Sequence, residues 1–289
     1  MDTWFLDVGR EVANDPKVPY AVLPVPYERT VTFGHRTAYA PDAILGASHQ
    51  IEDFDEEFRQ PLGLQVQTLP PPDFTWLSDR EAIVKIQTVA AQVMRNGQFL
   101  LGLGGEHTVT VPLVEAAHSA LGCASVLQID AHTDLREAHT DTRWSHACAM
   151  RRVRELGVAT VHVGIRSMSA AEFAYANAEK VPIFWAADIV AATTDAWIDK
   201  VVAQLAGPVY VTVDVDGLDP AAMPGTGTPE PGGLTWYHLT ALLRRVFARR
   251  HVVAADIVEV VPVPGFNVSE FVAARLAAKM LLYHKHGRR

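Results

Sequence analysis

The amino-acid sequence predicts an α/β protein in which helices cover both faces of a mostly parallel β-sheet. Short apolar runs alternate with longer helix-like segments along the chain, which is the pattern of repeated βα units. Runs such as residues 209–213 are apolar on both faces, as in strands that are covered on two sides. With 289 residues, 49% of them hydrophobic, the chain can bury a large core, and we expect one domain over residues 1–289.

The predicted strands are seven apolar runs, at residues 20–26, 98–104, 125–129, 160–165, 181–185, 208–213 and 251–260. Helices are predicted near residues 79–96, 108–121, 145–156, 195–206 and 235–250. A further helix is predicted at residues 269–285, where the apolar residues have near-helical spacing. Three prolines at residues 70–72 indicate a rigid surface connection, and we find no internal repeat.

Acids and histidines follow two of the predicted strands. Asp130, His132 and Asp134 come directly after residues 125–129, and Asp214 and Asp216 follow residues 208–213. In an extended segment, side chains two residues apart point the same way, so each group can converge on one point. Because ligands gather at the carboxyl ends of parallel strands, both groups are expected at the same edge of the sheet.

A third ligand-type residue, His107, lies in the sequence Gly-Gly-Glu-His-Thr just beyond another apolar run. Its preceding glycines allow close approach of the backbone. The three motifs together supply two histidines and four aspartates. Four carboxylates in one pocket repel one another unless cations neutralise them, which favours two divalent ions over one. Oxygen-rich ligation with one imidazole per ion favours Mn²⁺, although Zn²⁺, Co²⁺, Ni²⁺ and Fe²⁺ stay possible on ligand type alone.

A single aspartate after a strand is most often a turn former or a helix cap. Asp219 and Asp256 are interpreted in that way, as turn or supporting acids, because neither has the alternating spacing. The coincidence of three motifs at three strand ends is difficult to explain by capping. We therefore favour a hydrolytic metal site.

Five segments carry a resemblance to the ureohydrolase family, which includes arginase and agmatinase: GGEHT at 104–108, DAHTD at 130–134, SHACAMR at 145–151, DVDGLDP at 214–220 and PGTGTPEPGGLT at 224–235. The resemblance extends over nearly the whole chain. Residues 21–45 and 134–152 are most similar to bacterial and archaeal agmatinases. The family implies an arginase-like three-layer α/β/α fold with about eight strands, two Mn²⁺ ions per subunit, and a homo-oligomer, either a trimer or a hexamer.

The resemblance also implies how the ions are shared. Asp130 and Asp214 would bridge the two ions. His107 and Asp134 would bind one of them, while His132 and Asp216 would bind the other. A water shared by two Mn²⁺ ions loses a proton far more easily than bulk water, and Asp134 would help to orient that nucleophile.

Three further residues match functional positions of the family. Glu259 matches the glutamate that holds the planar guanidinium group, and Thr235 is expected to add a polar contact. His146 matches the histidine that passes a proton to the leaving amine. Here Ala147 follows it, whereas arginases and many agmatinases have glycine at that place. The other histidines are expected to be structural or exposed: His35, His118, His139, His162 and His251.

Arginases recognise the amino-acid head of their substrate partly with an asparagine after the DAHTD motif, but here residues 135–137 are Leu-Arg-Glu. This disfavours arginine and leaves agmatine, which would give putrescine and urea, as the first candidate substrate. Arg136 or Arg143 could instead pair with a substrate carboxylate, which keeps guanidinobutyrate or another guanidino acid as the alternative. A hypothesis from another class is a non-catalytic, metal-stabilised oligomer that binds a guanidine or a protein partner. Measurement of turnover separates the two classes.

Composition excludes several other functions. A net charge of −8 and a pI near 5.8 argue against a nucleic-acid surface and would mildly attract a cationic substrate. The two cysteines, Cys123 and Cys148, make neither a disulfide framework nor a Cys-x-x-Cys site. Since the sequence contains no targeting or membrane segment, we expect a cytoplasmic protein that does not associate with membranes.

Overall fold

The computed structural model describes residues 3–287, and its main feature is an eight-stranded sheet with helices on both faces. The strands are β1 (Tyr20–Val25), β2 (Phe54–Asp55), β3 (Gln60–Pro61), β4 (Val66–Thr68), β5 (Phe99–Gly104), β6 (Ser125–Ile129), β7 (Ala159–Ile165), β8 (Ile183–Trp185), β9 (Val209–Asp214) and β10 (Val252–Val258). The helices are α1 (Arg10–Ala13), α2 (Ala40–Ser48), α3 (Asp79–Arg95), α4 (Thr110–Leu121), α5 (Ala149–Glu155), α6 (Ala170–Ala178), α7 (Ala186–Val190), α8 (Ala196–Gln204), α9 (Trp236–Arg249) and α10 (Val268–His286).

The large sheet has the strand order β4-β1-β5-β10-β9-β6-β7-β8. All of its neighbouring strands pair in parallel, whereas β2 and β3 form a separate antiparallel pair. The prediction of a mostly parallel three-layer α/β/α fold is therefore confirmed. Parallel strands need a crossover between them, and the helices provide it.

Alternate residues of the central strands enter two separate cores. Val22 and Leu101 belong to the core on one face, whereas Leu23 and Leu100 belong to the core on the other. Helices α2, α8, α9 and α10 cover the first face, while α3, α4 and α5 contribute to the second. Because both faces are covered, the strands are apolar throughout, which explains the continuous apolar runs in the sequence.

The carboxyl ends of the four central strands are level with one another. Ile257 of β10 pairs with Leu103 of β5 and with Val213 of β9, and Val213 in turn pairs with Ile129 of β6. The loops that follow β5, β6, β9 and β10 therefore start side by side. This register brings distant parts of the sequence to one edge of the sheet.

Each of the seven predicted strand runs contains an observed strand, and β4 is the strand of the large sheet that the sequence analysis missed. Four short helices, α1, α2, α6 and α7, were also missed. The helix expected at residues 145–156 begins as a 3₁₀ turn over His146–Cys148 and continues as α5. Across the described range, residues 3–287, no helix combines the length and apolar character needed to cross a bilayer.

Candidate metal centre and active site

Ligand-type side chains follow each of the four central strands. His107 comes after β5, the three residues of the DAHTD motif after β6, and Glu259 after β10. Asp214 is the last residue of β9, and Asp216 lies in the 3₁₀ turn Val215–Gly217 that follows it. The chain after β5 lies directly against the backbone of Tyr27. Glycine is required there, because a Cβ on Gly105 would clash with the backbone carbonyl of Tyr27.

One imidazole nitrogen contacts three carboxylates at this edge. Nδ1 of His107 lies 3.2 Å from Oδ2 of Asp130, 2.9 Å from Oδ2 of Asp134 and 3.3 Å from Oδ2 of Asp214. All four residues are buried. Oxygen and nitrogen atoms at this spacing, on side chains that water does not reach, are suited to hold a divalent cation.

A second group shares Asp130 with the first. Nδ1 of His132 lies 3.0 Å from Oδ2 of Asp216 and 3.6 Å from Oδ1 of Asp130. One potential ligand set therefore contains His107, Asp130 and Asp134, and the other contains Asp130, His132 and Asp216. Asp130 offers one oxygen to each histidine, while Asp214 contacts the first group through Oδ2 and accepts a hydrogen bond from the backbone of Asp216 through Oδ1.

The side chains converge for a different reason from the one that the sequence suggested. Strand β6 ends at Ile129, so the DAHTD motif is not an extended strand. Asp134 has a left-handed backbone, with φ at 51°, and this conformation turns the chain within the motif. Asp214 and Asp216 are likewise related by a 3₁₀ turn. The alternation argument therefore predicted residues that do lie together, but from the wrong backbone geometry.

The charges of this cluster fit bound cations. Burial, together with the charges of Asp216 and Asp130, raises the pKa of Asp214 well above its ordinary value. Burial and the charge of Asp130 raise the pKa of Asp134 to about 7. Carboxylates in this situation take up protons or metal ions, because unneutralised charges in a dry pocket repel one another.

The orientation of His107 also fits a metal ligand. Its Nε2 lies 3.0 Å from Oγ1 of Thr212, which is the outer partner that metal-bound histidines usually have. Its buried Nδ1 has no hydrogen-bond partner among residues 3–287, although it faces three carboxylates. A nitrogen lone pair that points at carboxylate oxygens is stable only if a proton or a metal ion lies between them. The residues present therefore fit a metal centre.

Glu259 and His146 both line the cavity that lies over the cluster. Oε1 of Glu259 accepts a hydrogen bond of 2.7 Å from the backbone N–H of His107. Burial and the neighbouring Glu106 raise the pKa of Glu259 well above its ordinary value. Burial, with the positive field of His139 and other histidines, lowers the pKa of His146 to about 4. A substrate cation would stabilise Glu259 as a carboxylate.

The cavity has a volume of ≈ 280 Å³. It is lined by the acids and histidines of the cluster and by a second set of side chains: Thr32, Arg136, His139, Ala147, Ser167, Met168, Ser169, Glu172 and Thr228. Thr228 belongs to the loop after β9, and its hydroxyl donates to Oδ2 of Asp216 at 3.3 Å. The volume is suited to a small molecule.

Two predictions about this cavity need correction. Thr235 is not among the residues that line it; its hydroxyl accepts from the backbone N–H of His238 and caps helix α9. His139 was expected to be structural or exposed, but it lies in the cavity wall, with its ring centroid 5.8 Å from that of His146. No periodicity marks His139, since it lies in an irregular loop between β6 and α5.

Other predicted residues have ordinary roles. Asp219 accepts hydrogen bonds from the backbone N–H groups of residues 221, 232 and 233, as a turn former does. Asp256 is buried behind the cluster, where it accepts from the hydroxyls of Thr110 and Tyr210. Arg143 pairs with Glu137 and Glu155 outside the cavity. Only Arg136 of the two candidate arginines lines the cavity.

Comparisons with known proteins agree with this site. The sequence model of the Arginase family matches residues 18–283. The chain is 37% identical over 270 residues to an N(1)-aminopropylagmatine ureohydrolase of Synechocystis sp., covering 91% of this chain and 88% of that one. It is also 32% identical over 263 residues to an agmatinase of Pyrococcus horikoshii, covering 89% of each chain.

A solved structure of the agmatine ureohydrolase of Thermoplasma volcanium superimposes with a TM-score of 0.83 at 28% identity, covering 96% of this chain and 93% of that one. Proclavaminate amidino hydrolase from Streptomyces clavuligerus has the same fold, with a TM-score of 0.87 at 24% identity over 100% of this chain and 98% of that one. The family match over most of the chain, and the buried His/Asp cluster at the expected sheet edge, lead to one conclusion. The chain belongs to the arginase family and is a ureohydrolase of that family.

Proposed function

We propose that this protein is a binuclear manganese hydrolase that cleaves the guanidinium group of agmatine-type substrates, releasing urea and an amine. The observation that carries the proposal is the pair of overlapping ligand groups that share Asp130 beneath the cavity. A single ion does not need six protein ligands, whereas two ions sharing carboxylates do. The cavity above them is small and contains a carboxylate and an imidazole at its wall.

Six residues would hold the ions: His107, Asp130, His132, Asp134, Asp214 and Asp216. When bound, the two Mn²⁺ ions would supply the Lewis acidity that makes water a nucleophile near neutral pH. Asp134 would also accept a hydrogen bond from the attacking water and so orient it. The remaining chemistry is binding of the guanidinium group and movement of protons, which other side chains perform.

Glu259 would bind the guanidinium group. A guanidinium carbon is a poor electrophile because resonance spreads its charge, so the substrate must be held close to the attacking water. A carboxylate can accept N–H groups from one edge of the planar guanidinium, and this pairing fixes the plane of the substrate. The buried position of Glu259 strengthens the interaction, since few waters compete there.

His146 would deliver a proton to the departing amine. Its pKa of about 4 means that the imidazole is neutral before reaction, so it first accepts a proton and then gives it up. Addition of one water across the C–N bond yields urea and the protonated amine. Agmatine would give putrescine in this way, and N(1)-aminopropylagmatine would give the corresponding triamine.

Two amine substrates are supported by the relatives. One relative is named as an N(1)-aminopropylagmatine ureohydrolase and another as an agmatinase, and the first has the higher identity. The second candidate function, hydrolysis of guanidinobutyrate or another guanidino acid, is favoured by one observation. Arg136 lies in the cavity wall, where its guanidinium could pair with a substrate carboxylate.

The test is to incubate the Mn²⁺-loaded protein separately with agmatine, N(1)-aminopropylagmatine and guanidinobutyrate and to measure urea and amine together. Equimolar urea and amine from either of the first two supports the proposal, and the ratio of kcat/KM ranks them. Turnover of guanidinobutyrate alone would support the second candidate. Bound metal without turnover of any guanidine would support the non-catalytic hypothesis. Sedimentation of the same sample tests the expectation of a trimer or hexamer.

A further inference from the structure

His146 lies in the middle of a chain of hydrogen bonds that crosses the cavity wall. On one side, its Nε2 is 2.9 Å from Oγ1 of Thr32, which is 3.4 Å from Nε2 of His139. Nδ1 of His139 is in turn 3.0 Å from Nη1 of Arg136. The chain therefore begins at a permanent cation, passes through two side chains and reaches His146.

The chain continues on the other side of the His146 ring. Its Nδ1 is 3.2 Å from Oγ1 of Thr30, and that hydroxyl is 2.7 Å from Oε1 of Glu106. Glu106 is fully buried beside His107. The Nδ1 atom also lies 3.4 Å from Oγ of Ser145. The ring of His146 thus connects Arg136, a cation in the cavity wall, with the buried carboxylate of Glu106.

The cation at one end fixes the direction of the bonds next to it. An arginine side chain can only donate, so Nδ1 of His139 must accept and the proton of that ring lies on Nε2. Nε2–H of His139 then donates to the oxygen of Thr32. The hydroxyl hydrogen of Thr32 is left to donate to Nε2 of His146, and this bond forms when the proton of the His146 ring lies on Nδ1.

The carboxylate end selects this tautomer. Oε2 of Glu106 accepts from the backbone N–H groups of Arg29 and Thr30, and Oε1 accepts from the hydroxyls of Thr30 and Thr108. Since Thr30 directs its hydrogen to Glu106, its oxygen is an acceptor. The backbone N–H of His146 donates to that oxygen at 3.1 Å, and Nδ1–H of the same residue completes the arrangement.

We propose that this chain of hydrogen bonds holds His146 as the Nδ1–H tautomer with the lone pair of Nε2 directed into the cavity wall, and that Thr30 and His139 are positioning residues for it. The catalytic consequence rests on the proposed function. During hydrolysis, Nε2 would take up the proton that the attacking water loses through the hydroxyl of Thr32, which also lines the cavity, and would return it by the same route to the amine nitrogen as the C–N bond breaks. Nδ1 keeps its own proton throughout, because that N–H donates a hydrogen bond to the hydroxyl oxygen of Thr30.

Without Thr30, either ring nitrogen could carry the proton, and the ring could rotate. The fraction of molecules with a bare Nε2 in the correct direction would then fall. Such a change lowers kcat and leaves KM nearly unchanged, because the chain of bonds does not include Glu259 or the six proposed metal ligands.

The direct test is ¹⁵N NMR of the metal-free protein with labelled histidine, in which the signals of His146 are identified by their loss in His146→Asn. We expect a protonated Nδ1 and a bare Nε2 in the unmodified chain. In Thr30→Val, which removes the hydroxyl at nearly constant volume, we expect a mixture of tautomers. Thr30→Ser restores the hydroxyl and should restore the single tautomer. This measurement does not depend on whether the protein hydrolyses any guanidine.

Kinetics of the Mn²⁺-loaded variants give the second readout. Thr30→Val should lose about tenfold in kcat with KM changed little, and Thr30→Ser should recover most of the loss. Thr88→Val is the matched control, because within residues 3–287 its hydroxyl donates to the backbone carbonyl of Val84 on helix α3 and to no residue of the cavity. A predominant Nε2–H tautomer in the unmodified chain would overturn the proposal, as would wild-type tautomer and kcat in Thr30→Val. Correct tautomers without turnover would reject the proposed function and leave this inference standing.

His139 gives an independent pair of variants. Glutamine can accept from Arg136 through its oxygen and donate to Thr32 through its nitrogen, so His139→Gln should keep both the tautomer of His146 and most of kcat. Leucine can do neither, so His139→Leu should lose part of kcat, whereas Thr30 should still hold most of the His146 ring as the Nδ1–H tautomer. If the two variants behave alike, His139 has no positioning role, and the chain of bonds ends at Thr32.

Discussion

Asp130 offers one carboxylate oxygen to each histidine of the cluster, with Oδ2 3.2 Å from Nδ1 of His107 and Oδ1 3.6 Å from Nδ1 of His132. Its backbone lies one residue beyond strand β6, so the position of the carboxylate is set by the sheet. An aspartate in this place can hold two ions at once.

Replacement of Asp130 by asparagine should therefore weaken both metal sites together. The amide keeps the size of the side chain but removes the charge that both ions would share, so we expect at least about a 100-fold loss of Mn²⁺ affinity. Equilibrium dialysis with metal analysis measures it. Asp199→Asn, on the exposed face of helix α8, is the matched control. Wild-type binding of two ions by Asp130→Asn would contradict the shared role.

His146→Ala should separate chemistry from metal binding. Its side chain is not one of the six ligands, so the metal content should stay at the wild-type value, while kcat should fall by about 10² to 10⁴. Initial rates and metal analysis of the same samples provide the test. His251→Ala, at the opposite end of the sheet, should leave both unchanged. A proportional loss of metal and rate would mean that His146 acts through the metal site instead.

Glu259→Gln should raise KM and lower kcat while the metal stays bound. The glutamine oxygen can still accept from the backbone of His107, but the side chain no longer carries a charge to pair with the guanidinium group. Urea alone should inhibit the variant and the wild type to similar extents, because urea is neutral. Steady-state kinetics with agmatine would count against our account if KM and kcat were both unchanged.

A buried ion pair far from the cavity gives a prediction for stability. Nζ of Lys279 lies 2.8 Å from Oδ2 of Asp55, and both side chains are buried. Burial would raise the pKa of Asp55, but the hydrogen bond with Lys279 and backbone N–H groups lower it below its ordinary value of 3.8. Ionised Asp55 therefore stabilises the fold at pH values above its ordinary pKa, and this contribution is lost as the pH falls through the lowered pKa.

Lys279→Met leaves Asp55 buried without its cation and should cost about 3 kcal/mol in the free energy of unfolding at pH 7. Burial alone would then raise the pKa of Asp55, so the difference in Tm between wild type and variant should shrink as the pH falls from 7 towards 4. Thermal unfolding across this range tests the sign. Lys200→Met on the exposed face of α8 serves as the control, and a difference that widens in acid would refute the argument.

The sequence predicted which acids and histidines lie together at one sheet edge, because strand ends are easy to recognise. Each apolar run ends where the chain leaves the covered sheet, and His107, Asp130 and Asp214 occupy those ends. Strand β4 was not recognisable in the same way, since Val66–Thr68 is only three residues long and partly exposed. Short edge strands carry too few apolar residues to give a pattern.

The cavity wall could not be predicted from the same signal. Thr30 and Thr32 lie more than a hundred residues from His146 in sequence, and they meet it only because the loop after β1 lies beside the loop after β6. Irregular loops have no periodicity that fixes the direction of a side chain. Thr235 shows the opposite failure, since its local sequence suits a helix cap as well as a binding contact, and the fold uses it as a cap.

The most direct test of the central claim is to titrate the metal-free protein with Mn²⁺ and follow urea release from agmatine and from N(1)-aminopropylagmatine. We predict no turnover without metal and a rate that reaches its plateau when two ions are bound per chain. Equal turnover in the metal-free protein, or no urea from any guanidine when two ions are bound, would contradict the proposed binuclear hydrolysis.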